Sequence, residues 1–178
     1  MAKIDPDLPF QPLHVALLTV SDSRTEETDR SGAFLASRLD SAGHELVRKA
    51  IVTDDRDLIR ATVSELAKDP SVDLIITTGG TGFAPRDVTP EAVKPLLRRE
   101  MEGFSALFHQ ASLGTVGLST LQSRAFAGQI DDTFIFCLPG STGACQDAWE
   151  LILKFVLDSR YVPCSLANNI ARLRKLEQ

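Results

Sequence analysis

The chain has 178 residues, with 19 Lys and Arg against 24 Asp and Glu, for a formal net charge of −5. At 43% hydrophobic and 24% charged residues it can bury one domain-sized core, which excludes a disordered chain. The acidic balance excludes a broad basic field for nucleic acid, so any phosphate-bearing ligand has to be met by a local positive site.

Met1 to Gln11 carries one Lys, two Asp and two Pro and lacks the apolar stretch of a secretory signal. The longest apolar runs, Val15–Leu18 and Phe134–Leu138, fall far short of the roughly 20 residues of a spanning helix. Residues 1–12 therefore read as an N-terminal tail, 13–163 as a single domain and 164–178 as a C-terminal tail. Cys137, Cys145 and Cys164 match no zinc or disulfide spacing, and read as free thiols of a reducing cytoplasm, with Cys137 as small apolar filler in a strand.

Taken in order, His14–Val20 is a near-continuous apolar run, as expected of a strand covered on both faces. Phe34, Leu35, Leu39 and Ala42 recur at helical spacing, and Gly43 ends that helix. Glu45–Val52 is a second strand; Leu58, Ile59, Val63 and Leu66 mark a helix stopped at Asp69-Pro70. Asp73–Thr78 is a buried strand running into Gly79-Gly80-Thr81-Gly82. Thr89-Pro90-Glu91 predicts a helix start, with Thr89 as hydroxyl cap, Pro at the first helical position and an acid in the first turn. Met101–Leu113 is predicted helical, and Gly114–Gln129 carries no clear period. Thr133–Leu138 is again a strand, followed by Pro139-Gly140-Ser141-Thr142-Gly143. Ala148, Ile152, Phe155 and Val156 mark the last long helix; Trp149 and the Phe residues fall at core spacing, and the tail from Ala171 has the look of a short exposed helix.

Strands alternating with helices predict right-handed crossovers, a mostly parallel sheet and helices on both faces. Ligands of such sheets sit beyond the carboxyl ends of the strands. Both Gly-rich turns follow strands, so both belong to that edge, although they are 60 residues apart.

A Gly-rich turn opening a helix presents free amides and the positive end of a helix dipole, a cradle for phosphate. Gly79–Gly82 lacks the Lys-Ser/Thr end of a P-loop, and Pro85 breaks the dinucleotide fingerprint. Glycines needed only for tight turns are the competing reading. Asp87 lies a few residues beyond the first turn. A carboxylate there repels phosphate unless a cation bridges them, which points to Mg²⁺; the alternative is a carboxylate that satisfies turn amides. Asp54-Asp55 reaches the same edge after the second strand, or caps the helix that follows. Ser21-Asp22-Ser23 after the first strand is ambiguous in the same way. Arg24, Arg86 and Arg124 could each fork onto a phosphate or be solvated surface charges.

These residues resemble the MoaB/MogA family of molybdenum cofactor biosynthesis proteins. The match rests on Leu18-Thr19-Val20-Ser21-Asp22, Asp29-Arg30-Ser31-Gly32, Thr77-Thr78-Gly79-Gly80-Thr81-Gly82, Arg86-Asp87-Val88-Thr89-Pro90-Glu91-Ala92, Glu102-Gly103-Phe104, Gln122-Ser123-Arg124-Ala125 and Leu138-Pro139-Gly140-Ser141. The Ser119–Ala125 segment looks closer to MoaB than to MogA. The resemblance implies a three-layer α/β/α sandwich around a mostly parallel sheet. It implies Mg-ATP-dependent adenylylation of molybdopterin to adenylyl-molybdopterin with release of pyrophosphate; the alternative is a catalytically silent molybdopterin carrier of the same family. By the same resemblance the nucleotide loop falls on Gly79, Gly80, Thr81 and Gly82. The essential acids, as Mg²⁺ ligands, fall on Asp87 and Asp54, and the pterin-phosphate turn on Pro139, Gly140 and Ser141. Ser21, Asp22 and Arg124 complete the expected binding set. A cytoplasmic homotrimer or homohexamer, handing its product to a downstream molybdenumtransferase, is the implied setting.

Overall fold

A computed structural model describes residues 2–176. In chain order the elements are β1 (Lys3–Ile4), β2 (His14–Val20), α1 (Arg30–Ser41), β3 (Glu45–Val52), α2 (Arg56–Lys68), β4 (Leu74–Thr78) and α3 (Thr89–Val93). Then come β5 (Arg99–Glu100), α4 (Glu102–Val116), a 3-10 segment over Gly117–Gln122, β6 (Phe126–Ile130), β7 (Thr133–Leu138) and α5 (Thr142–Ala148). A π turn over Trp149–Leu153 leads to α6 (Lys154–Val156), β8 (Tyr161–Val162) and α7 (Leu166–Leu176).

Six strands form one sheet in the order β3-β2-β4-β7-β6-β5. β3, β2, β4 and β7 are parallel; β6 runs antiparallel to β7, and β5 antiparallel to β6. Period-2 alternation splits the side chains between two cores. Val15, Leu17, Leu74, Ile76, Phe134 and Phe136 face one core, shared with Leu35, Leu39, Phe104, Phe108, Trp149 and Leu153. Ala16, Leu18, Val20, Ile75, Ile135 and Cys137 face the other, shared with Ile59, Val63, Ala92 and Val93. The result is the three-layer α/β/α arrangement, with α1, α4 and α5 on one face and α2 and α3 on the other. Among the described residues no helix is long and apolar enough to cross a membrane.

Local chemistry sets the helix starts. The Asp29 carboxylate caps α1 by accepting the Gly32 amide at 2.9 Å, and Asp55 caps α2 by accepting the Asp57 and Leu58 amides at 3.0 and 2.8 Å. At α3 the expected cap is corrected. Val88 occupies the cap without a side-chain bond and Thr89 is already helical, because its hydroxyl donates instead to the Gly79 carbonyl at 2.9 Å.

The stretch without a clear period resolves into three pieces. α4 runs through Gly114 and stops at Gly117, whose φ of +58° ends the helix; a 3-10 segment follows, and Phe126 opens β6. Segments near both termini are held to the domain: β1 pairs with β8, and Ala167 and Ile170 of α7 are buried in the first core with Leu173 packed against it. The last two residues of the expected exposed helix lie outside the described residues. Trp149 is buried, but Phe83 is 72% exposed, so the core reading of the Phe residues fails there: Phe83 sits in the loop after the first glycine turn, outside any periodic element.

Candidate active site

β2 enters the sheet first, β3 lies on one side of it, and the chain then crosses to β4 on the other side. The crevice between the carboxyl ends of β2 and β4 is thus a topological switch point. Register keeps the edge level, since Thr19 pairs with Thr78 and Thr78 with Leu138. There a cavity of about 520 Å³ opens, lined by the loops after β2, β3, β4 and β7 and walled by α4 and α5.

The first glycine turn has its carbonyls tied back from behind. Gly79 and Gly80 O accept the hydroxyl and amide of Thr89 at 2.9 and 3.0 Å; Thr81 and Gly82 O accept the amide and Nε of Arg124 at 2.9 and 2.8 Å. With all four carbonyls engaged, the amides of Gly80, Thr81 and Gly82 have no acceptor among the described residues. The path requires glycine: Gly79 and Gly80 have φ of +111° and +65°, and a Cβ on Gly79 would strike the Val20 carbonyl. At the second turn, Ser141 caps α5 by accepting the Ala144 amide at 3.2 Å, while the amides of Gly140 and Ser141 have no acceptor among the described residues. The turns touch, since a Cβ on Gly140 would stand 3.2 Å from the Gly79 Cα. The Thr78 hydroxyl bridges them by donating to Pro139 O at 2.9 Å.

The structure brings most of the expected residues to one cavity. Gly79, Gly80, Thr81, Gly82, Asp54, Asp87, Ser21, Pro139, Gly140 and Ser141 all line it. The choice between the adjacent acids is resolved, with Asp54 lining the cavity and Asp55 capping α2. Asp87 Oδ2 accepts the Ala84 amide at 2.8 Å, so the turn-satisfying reading of Asp87 holds alongside its place in the cavity. Ser21 lines the cavity, but its hydroxyl accepts the Ser23 and Arg24 amides at 3.2 Å each.

Two expected ligand contacts lie outside the lining. Asp22 is held by a two-pronged pair with Arg86, at 2.9 and 2.7 Å, and exchanges backbone-to-carboxylate bonds with Asp54. Arg124 spends its guanidinium on Gly82 O, on Asp87 O at 2.8 Å and on the Glu91 carboxylate. With its guanidinium engaged by these three partners, it shapes the loop instead of lining the cavity. Arg24 lines the cavity in its place.

Sequence reasoning missed three polar groups. Asp29, 1% exposed, accepts the Thr19 hydroxyl at 2.7 Å beneath the cavity floor. Asp147 and Ser112 line the α4–α5 wall.

The electrostatics are unbalanced toward acid. The Asp54 carboxyl is pushed above the usual aspartate range, first by burial and further by the charges of Asp22 and Asp87. The Arg86 guanidinium holds Asp22 below that range. Among the described residues no group of three or more His, Cys, Asp or Glu converges as a metal cage. Two carboxylates beside free phosphate-binding amides suit Mg²⁺, which takes one or two carboxylates together with substrate phosphates.

A mostly parallel sheet with amide-lined turns at its switch point defines the class: a three-layer α/β/α domain whose strand-end turns have the chemistry to receive anionic groups. The chain belongs to the molybdenum cofactor biosynthesis family, whose domain, a probable molybdopterin binding domain, matches residues 16–159. It is 48% identical over 156 residues to molybdenum cofactor biosynthesis protein B of Escherichia coli K12, covering 88% of this chain and 92% of that one. A crystal structure of a molybdenum cofactor biosynthesis protein B superposes with a TM-score of 0.83 at 36% identity, covering 93% and 98% of the two chains. A MogA structure gives 0.75 at 26% identity, covering 90% and 99%.

Proposed function

We propose that this protein adenylylates molybdopterin: a terminal phosphate oxygen of molybdopterin attacks the α-phosphorus of ATP, and pyrophosphate leaves. The observation that carries the reading is the pairing of two contiguous turns with free amides and two carboxylates, Asp54 and Asp87, in one cavity. The Gly80, Thr81 and Gly82 amides would hold the triphosphate, and those of Gly140 and Ser141 the pterin phosphate. The attacking phosphate is already ionised at neutral pH, so the step needs orientation and charge neutralisation without a general base. Mg²⁺, when bound by Asp54 and Asp87, supplies that neutralisation. Arg24 is placed to add to it, and Arg124 keeps the loop carbonyls turned away.

Asp87→Asn is expected to reduce adenylyl transfer by about 100-fold or more. A near wild-type rate with ordinary Mg²⁺ dependence would overturn the metal assignment. We also infer a cytoplasmic homotrimer or homohexamer that passes its product to a molybdenumtransferase. Exposed Leu107, Leu113, Leu118 and Leu121, on α4 and the 3-10 segment after it, support the assembly, and a monomeric mass in solution would contradict it.

A further inference from the structure

Asp54 and Asp87 reach the cavity on separate loops, one after β3 and one after β4, so the distance between them depends on what ties the loops together. Each spends Oδ2 on a backbone amide, that of Asp22 for Asp54 and that of Ala84 for Asp87, both at 2.8 Å. Oδ1 of each has no hydrogen-bond partner among the described residues. The loop after β4 is tied mainly to itself and backward: the bonds of Thr81 to Asp87 go to the loop's own residues or to Arg124. The exception is Arg86, whose Nε and Nη2 donate to the two Asp22 oxygens at 2.9 and 2.7 Å. Among the described residues, no other hydrogen bond from 81–87 crosses to the loops after β2 and β3. Asp22 completes the link, because its Oδ1 also accepts the Asp54 amide at 3.1 Å.

We propose that the Asp22–Arg86 pair is a latch that sets the separation of Asp54 and Asp87 and so makes the site selective for Mg²⁺. Both are positioning residues, and the proposal rests on the metal reading above. Mg²⁺ demands near-ideal octahedral geometry with oxygens at about 2.0–2.1 Å, whereas Ca²⁺ accepts irregular sets at about 2.3–2.6 Å. Two acids on independently moving loops suit Ca²⁺ as well as Mg²⁺; two acids linked by a fork suit the more exacting ion. A two-pronged guanidinium–carboxylate pair fixes orientation as well as distance, which a single hydrogen bond does not. The pair is exposed and so contributes little to global stability. Its effect is on the fraction of molecules that hold both acids in register, and apparent affinity falls with that fraction.

The test is calorimetric titration of the full chain with the Mg²⁺ and Ca²⁺ complexes of α,β-methylene-ATP, in which the bond that adenylylation breaks cannot be cleaved. Asp22→Asn removes the charge but keeps an oxygen for the Asp54 amide, and Arg86→Gln removes the fork from the other side. Wild type should prefer the Mg²⁺ complex. Each variant should weaken that complex about 5- to 10-fold and change the Ca²⁺ complex by less than about twofold. The double variant should be no worse than either single one, because both break the same link. Tm of the ligand-free protein should stay within about 2 °C of wild type, as expected for exposed side chains. An Arg86 that bound phosphate directly gives another pattern: Arg86→Gln weakens both complexes, while Asp22→Asn frees the guanidinium and tightens both. That pattern, additive losses in the double variant, or an undiminished Mg²⁺ preference in Asp22→Asn overturns the latch and leaves adenylylation standing. Wild type that binds the metal-free analogue as tightly as its Mg²⁺ complex overturns the metal reading and the latch together.

Discussion

Asp54 and Asp55 are adjacent, yet one faces the cavity and the other caps a helix. Sequence spacing cannot separate neighbours whose difference is side-chain direction at the end of a strand. Arg124 was illegible for another reason: what its guanidinium reaches is set by loops distant in sequence. Asp54 also yields a stability prediction. Its carboxyl is raised above the ordinary 3.8, so the folded protein holds that proton more tightly than the unfolded chain does. The ionised form therefore opposes folding at neutral pH; the penalty is absent below pH 3.8 and grows as pH rises through the raised value. Asp54→Asn keeps an acceptor for the Asp22 amide and should raise the Tm of the ligand-free protein at pH 7, with the gain shrinking in acid, while adenylyl transfer falls. A lower Tm at pH 7 would contradict this.

The glycine turns and the strands that feed them are the most legible elements. A buried apolar run ending in glycines leaves few alternatives to a tight strand-to-loop turn, and β2, β4 and β7 follow the predicted runs closely. β6 was hidden because its small and polar residues, Ala127, Gly128 and Gln129, carry no apolar alternation; tertiary pairing with β7 makes it a strand. The two turns act as one packed unit, with Gly79 against both Val20 and Gly140. Gly79→Ala should cost at least about 2 kcal/mol, read as a lowered denaturant midpoint, through left-handed strain and collision with backbone. Gly143→Ala, in the first turn of α5, adds a Cβ that meets nothing within 4 Å and should be neutral or stabilising by up to about 1 kcal/mol. Equal effects from the two substitutions would contradict the packed-turn account.

At the scale of the molecule, a net charge of −5 coexists with a cavity suited to phosphate. Backbone amides provide positive potential without adding lysines, and the carboxylates that deepen the acidity are the groups placed to hold a cation. The sequence pattern conveyed this arrangement because the fold sends every parallel strand end to one edge. It could not convey the α4–α5 wall, whose polar groups come from helices that meet only in the folded chain. The most direct measurement is incubation with molybdopterin, Mg²⁺ and ATP labelled at the α-phosphate. The account predicts label on the pterin with one pyrophosphate released per label transferred. Pterin binding with the label remaining in ATP would contradict it and leave a carrier.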